Sequence, residues 1–319
     1  MPGNSYRAVG IVLLLVGGVL AGCRPSKPEA DQVILQLNWY HEAEFAGYYV
    51  AEAKGFYAGE NLEVTIEEGG LDINSKKRVV QGEVDFAVTT FYEHQTYLEK
   101  GKPSVAVMAV FQIPPPVLIA LTDSGIHEPH DLAGRRVAIK GEPWRQIIYS
   151  TLTNAGVDPS EMIEIEVEHD AMVMLYNGEV DVWPGYAANE PIKAQLAGYE
   201  VNLIFPANYG VGIYEGLLVV HQDTLDQNSD LVARFVRASL RGYQYALEHP
   251  DEAAAIIVEW QPQNSLEFHQ MAIRALIPLV DTVQAPIGWI DAERWQQGMG
   301  TASTQEHPGY TMDFVEEAQ

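Results

Sequence analysis

The sequence predicts an α/β protein of two similar lobes, with a ligand cleft between them and two crossover strands. Short apolar strands alternate with segments of helical period in the order βαβαβ, the pattern of a parallel, doubly wound sheet. That order occurs twice, and the tetrapeptide Gly-Glu-Val-Asp stands at equivalent points, 82–85 and 178–181, each time ending a helix with glycine and opening a strand. The length, 319 residues, also exceeds the roughly 250 to 300 that a single hydrophobic core serves.

Taken in order, Arg7 precedes an apolar run from Val9 to Leu20, and Ala21 and Gly22 lead to Cys23, the only cysteine. This is the layout of a secretory signal with a cleavage site, and the run falls well short of the roughly 20 residues that span a bilayer. Leu20-Ala21-Gly22-Cys23 resembles a bacterial lipobox. The resemblance implies a signal peptide over 1–22, an acylated, palmitate-bearing Cys23, and a lipoprotein held at the outer face of the cell membrane. Residues 23–31 are polar and proline-rich and read as a tether.

The first lobe, 32–118 with 214–319, opens with a strand at Val33 to Leu37 and a helix through Ala53. A strand at Leu62 to Ile66, a helix around Lys76 to Gln81 and a strand at Val84 to Val88 follow. The second lobe, 119–213, repeats the order: strand Arg136 to Lys140, helix Trp144 to Ala155, strand Ile163 to Val167, helix Ala171 to Asn177, strand Val180 to Trp183. Pro114-Pro115-Pro116 with Val117 to Leu121 reads as the first crossing, and Gly210 to Val220 as the return. The helical pattern from Asp230 onward is expected to buttress the first lobe.

Composition narrows the function. With 19 Lys and Arg against 44 Asp and Glu, a formal net charge of −25 opposes nucleic acid and anionic surfaces. No Gly-x-Ser-x-Gly elbow, Walker-type phosphate loop or His-Glu-x-x-His helix is present, so no catalytic residues are assigned and a non-enzyme is expected. His127 and His130 lack a second ligand pair, and no metal or cofactor is expected.

The candidate site lies where open α/β sheets bind small molecules, beyond the carboxyl ends of the strands. Trp39 and Tyr40 follow the first strand, Phe91 and Tyr92 the third; Trp144 follows Lys140, and Trp183 and Tyr186 follow the second Gly-Glu-Val-Asp. Singly each ring is more often core than contact, and Trp39 and Tyr40 also fit simple packing under a loop. Together they suit stacking on a flat, uncharged heterocycle, oriented by Asn38, Glu44, Thr89, Thr90, Glu142, Asn189 and Glu190. Few arginines or lysines occupy these loops, which disfavours a strongly anionic ligand.

Asn38-Trp39, Phe45-Ala46-Gly47-Tyr48-Tyr49-Val50-Ala51, Lys54-Gly55-Phe56-Tyr57 and Gly82-x-x-Asp85-Phe86 resemble the thiamine-pyrimidine-synthase-like group of ABC importer substrate-binding proteins. Asp131-Leu132-Ala133-Gly134 and Arg241-Gly242-Tyr243-Gln244-Tyr245-Ala246 also follow its pattern. The resemblance, over roughly Val33 to Ile277, implies a type II periplasmic-binding-protein fold closing on a vitamin or vitamin precursor, with ABC permease subunits as partners. Pyrimidine binders of this group carry a histidine where Phe45 stands, whereas Phe-Ala-Gly-Tyr-Tyr-Val-Ala is similar to members associated with riboflavin uptake. Riboflavin is the expected ligand, with formylaminopyrimidine or hydroxymethylpyrimidine as the alternative. Fungal relatives are pyrimidine synthases, but their cysteine cluster is missing here.

Overall fold

The computed structural model describes Met1, Gly3 and residues 29–168, 171–282, 285–299 and 308–318. The expected signal peptide, Cys23 and most of the tether lie outside the described residues. The strands are β1 (Asp31–Gln36), β2 (Leu62–Glu67), β3 (Phe86–Thr89), β4 (Ser104–Phe111), β5 (Pro116–Leu121), β6 (Arg136–Ile139), β7 (Ile163–Glu166), β8 (Trp183–Tyr186), β9 (Val201–Ile204) and β10 (Glu215–His221).

One sheet has the order β2-β1-β3-β10-β4, with β1 parallel to β2 and β3, and β10 antiparallel to both of its neighbours. In the other half, β8-β5-β9 is antiparallel, β6-β7 is parallel, and one parallel bridge from Val137 to Val182 joins the two ladders. Taken as one layer, β7-β6-β8-β5-β9 repeats the first order, with β5 in the place of β10. Each inserted strand arrives from the opposite half: β5 follows β4, and β10 follows β9. The crossings therefore run just ahead of β5 and β10, and these strands are sheet members rather than free connections.

The repeated tetrapeptide has the same job in both halves. Gly82 and Gly178 take φ of 68° and 67°, the left-handed turn that ends a helix and that a Cβ disfavours. Val84 and Val180 are buried. Asp85 Oδ2 then accepts the Ile34 N–H at 2.8 Å, and Asp181 Oδ2 accepts the Arg136 N–H at 2.8 Å. Each aspartate thus fastens the start of the strand that follows it to the parallel strand alongside, β1 for Asp85 and β6 for Asp181.

Several elements differ from expectation, and β9 and the helices Phe91–Glu99 and Glu190–Leu196 are not expected at all from the sequence pattern. The strand placed at Val180 to Trp183 begins only at Trp183, because Asp181 and Val182 make isolated bonds to β6 before the chain turns its other edge to β5. β4 has all eight residues buried and so lacks the polar alternation that marks a half-exposed strand.

The helix Ser229–Glu248 backs the first sheet, packing on the helix Ala46–Ala53. Its Phe235 stacks on Phe86 with ring centres 3.9 Å apart and on Tyr57 at 5.1 Å. The helix Leu266–Val280 touches both the turn Ala43–Phe45 and the helix Glu190–Leu196, so it leans on both halves. Among the described residues no helix is long and apolar enough to cross a membrane.

Candidate ligand cleft

Between the two sheets lies an enclosed cavity of about 10 Å³, room for a single water. Its wall carries Asn38, just past β1; Glu44 and Phe45, in the turn before the helix Ala46–Ala53; Val88 and Phe111, from β3 and β4; Pro115, at the first crossing; Tyr186, at the end of β8; Glu215 and Gly216, at the start of β10; and Tyr243, on the backing helix. Strand ends of both halves therefore meet here. They do so because both sheets share one order and face each other across the crossings.

A second layer stands behind Tyr186. Lys140, following β6, donates from Nζ to Glu190 Oε1 at 3.1 Å and lies 4.9 Å from the Trp144 ring centre and 5.5 Å from that of Trp183. The other oxygen of Glu190 accepts the Tyr186 N–H at 2.8 Å. Trp144 stands edge-on to Tyr186 at 5.9 Å. Asn189 Nδ2 donates to Glu42 Oε1 at 2.7 Å, a hydrogen bond between the halves. Asn38 Oδ1, Trp183 Nε1 and Asn189 Oδ1 are buried without a hydrogen-bond partner. Native interiors rarely leave such groups orphaned, so three of them in one place mark a site that expects a guest or a water.

Three carboxyls of this region, Glu42, Glu44 and Glu215, are pushed above the ordinary carboxylate range. Burial pushes Glu42 up to about 7, with Glu190 adding to the rise and Lys193 opposing it. Burial also raises Glu44 well above the usual carboxylate range, reinforced by Glu42, Glu215 and Glu190. Glu215 is pushed up to about 8 by burial and then by Glu93. Tyr186 is likewise raised, first by burial and then by these carboxyls.

Of the residues expected in the site, Asn38, Glu44 and Tyr186 line the cavity, and Trp144, Trp183, Asn189 and Glu190 form the layer behind it. The others stand elsewhere. Trp39 is half-buried, edge-on to Tyr40 at 5.3 Å, and Tyr40 is 44% exposed. Thr89 is buried and donates to Glu93 Oε2 at 2.9 Å, while Thr90 caps the helix Phe91–Glu99 by accepting the Glu93 N–H. Phe91 packs edge-on to Trp295 at 5.3 Å in the core of the first half. Tyr92 lines a separate surface groove with Tyr149, Thr153 and Val211, and its hydroxyl accepts the Gly212 N–H at 3.3 Å. Glu142 is exposed and pairs with Arg145 at 2.7 Å. These seven pack, cap, pair or face solvent locally because the first turn after a strand points only some of its side chains at the cleft. Glu215, Tyr243, Phe111 and Lys140 are the contributors that motif reasoning passed over. A lone glutamate heading an apolar strand was the available signal for Glu215.

The chain is similar to known proteins. A family model described as NMT1/THI5 like matches residues 42–253. The riboflavin-binding protein RibY of Chloroflexus aurantiacus is 27% identical over 319 residues, covering 91% of this chain and 88% of that protein. The formylaminopyrimidine-binding protein of Halalkalibacterium halodurans is 25% identical over 307 residues, covering 92% of each. A 4-amino-5-hydroxymethyl-2-methylpyrimidine phosphate synthase of Legionella pneumophila is 29% identical over 252 residues, covering 78% and 79%. Among solved structures, the periplasmic aliphatic sulphonate binding protein SsuA of Escherichia coli superposes with a TM-score of 0.69 at 16% identity over 86% of each chain. The last of these shares the two-lobed periplasmic-binding fold.

Proposed function

The chain belongs to the NMT1/THI5-like family, and from that premise we propose that it is the substrate-binding lipoprotein of an ABC importer, capturing riboflavin for delivery to a membrane permease. The observation that carries this reading is the enclosed cavity between two strand-end clusters, walled by Phe45, Phe111, Tyr186 and Tyr243 and bordered by orphaned polar groups. Aromatic walls with a few fixed polar atoms suit a flat heterocycle. Among the described residues no lysine or arginine lines the cavity, which suits an uncharged guest better than a sulphonate or phosphate. The relative named for riboflavin binding, aligned over 91% of this chain, supports the same ligand.

Ligand sites for such molecules are roughly 300 to 1,000 Å³, so a cavity of about 10 Å³ has to open before it is filled. The reading therefore includes a hinge at the two crossings, near Val117 and Tyr214, with 32–118 and 214–319 moving against 119–213. Acylation of Cys23 would hold the protein at the outer membrane face. Capture changes no covalent bond: Lys140, the buried lysine at this cleft, is engaged with Glu190 and stands against two tryptophans.

A second reading, capture of a thiamine pyrimidine precursor, is favoured by the relative named for formylaminopyrimidine. Titrating the purified soluble chain with riboflavin and with formylaminopyrimidine, by flavin fluorescence quenching and by heat, separates them. Saturable quenching supports riboflavin; heat with the pyrimidine alone moves the assignment to the second reading. Appearance of a lysine–imine absorbance band on adding pyridoxal phosphate would point instead to a synthase, as one relative is named.

A further inference from the structure

We propose that Glu44 and Glu215 fix the chemical class of the guest: they meet it as neutral carboxylic acids, donating hydrogen bonds to ring nitrogens or carbonyl oxygens of an uncharged heteroaromatic, so that capture takes protons up from solvent. The proposal rests on the cavity being the ligand site. Its ground is placement. Glu44, from the turn before the helix Ala46–Ala53, and Glu215, from the head of β10, line one enclosed cavity together with Asn38. Asn38 contributes an unpartnered acceptor to the site, and Trp183, fully buried behind it, an unpartnered N–H donor.

The groups facing the two carboxyls leave them no counter-charge. Glu44 faces Glu42, Glu215 and Glu190, and its neighbours Tyr49, Tyr186 and Tyr243 are neutral phenols. Glu215 feels the charge of Glu93, with Tyr92 and Tyr186 nearby, and its bond is to its neighbour Gly216 N–H. The cations are engaged elsewhere: Lys140 by Glu190, Lys193 in the field of Glu42, and Arg294 by the carbonyls of Gln112 and Ile213. Two ionised carboxylates in one dry cavity repel each other and lack hydration, so the closed form keeps them protonated, as burial and like charge both require. A neutral acid has one O–H to give, and inside the cavity the acceptor is the guest.

In the open form water reaches both groups and they ionise with ordinary carboxylate behaviour; closing on the guest protonates them again. Affinity is then greatest at acid pH and is lost as pH rises through the range bounded below by the ordinary carboxylate value and above by the closed-form value, about 8 for Glu215.

The test is calorimetric titration of the soluble chain with riboflavin at pH 7, in buffers of different ionisation enthalpy, together with the pH profile of affinity from 5 to 9. The expected result is net proton uptake approaching about one per carboxyl and an affinity falling by up to about tenfold per pH unit for each. In Glu44→Gln and Glu215→Gln the uptake should drop and the profile flatten. Binding without proton uptake, or uptake unchanged in both variants, overturns the proposal. An independent arm follows the infrared carbonyl band of protonated carboxyl groups at pH 7: it should grow when the chain is saturated with riboflavin, and grow less in each variant. Saturable riboflavin quenching with no gain in that band overturns the proposal, while no quenching by riboflavin but a gain in the band on adding formylaminopyrimidine retains the neutral acids and rejects riboflavin as the guest.

Discussion

At the scale of single residues, the two aspartates of the repeated tetrapeptide carry the most local load. Asp85→Ala and Asp181→Ala each leave a strand N–H without its acceptor, at Ile34 and Arg136 respectively. Each should cost about 1 to 3 kcal/mol, read as a lowered urea midpoint with unchanged slope. The Asp181–Arg136 ion pair, with the arginine side chain 39% exposed, adds little beyond that backbone bond. Glu215 supplies a second residue-scale prediction. Its native carboxyl, at about 8, lies above the unfolded value, so its contribution is complete below the unfolded value and is lost as pH rises through 8. Measured by urea unfolding at pH 5 and pH 9, Glu215→Gln should gain stability relative to the parent on going to the higher pH, by no more than a few kcal/mol. The layer behind the aromatic wall gives a third: Trp144→Ala should weaken riboflavin binding by about 1 kcal/mol through lost edge-on support of Tyr186, read by fluorescence quenching.

At the scale of elements, the helix Ala46–Ala53 and the helix Ser229–Glu248 approach so closely that glycines are built into the contact. A Cβ on Gly47 would lie 2.1 Å from the Tyr243 ring, and one on Gly242 would lie 2.0 Å from the Gly47 carbonyl oxygen. Tyr243 also lines the cavity and donates its hydroxyl to the Glu44 carbonyl at 3.0 Å. Gly47→Ala should therefore cost about 1 to 3 kcal/mol of stability by overpacking, and weaken ligand binding as Tyr243 moves. Thermal unfolding and riboflavin titration on the same sample check both. The pairing of these helices was legible only in part: Phe45, Tyr48, Tyr49 and Ala53 announce a helix by their spacing, but nothing in that spacing names a partner nearly two hundred residues away. β4 was illegible for a different reason. Ser104–Phe111 is buried on both faces, so the alternation that betrays a strand is absent.

At the scale of the whole molecule, the halves meet through the Asn189 to Glu42 hydrogen bond, the Tyr92 to Gly212 bond and the packing of the helix Leu266–Val280 on the helix Glu190–Leu196. Asn189→Ala should shift the unliganded chain toward an open form, seen as a larger radius of gyration in small-angle scattering, and riboflavin should compact it again. A radius insensitive to both the substitution and the ligand would remove the hinge from the proposed function.

The sequence by itself determined what depends on neighbours along the chain: the α/β order, its repetition, the glycine turns at 82 and 178, and the aromatic residues that follow strand ends. Local periodicity and turn chemistry are enough for those. Only the tertiary structure decided which of those aromatics face the cleft, because a strand end can point a ring inward, as at Tyr186, or into its own core, as at Phe91. It also brought Glu44, Glu215 and Tyr243 to one cavity from three distant stretches of chain. Their shared loss of water is a property of that meeting, and no spacing along the chain encodes it.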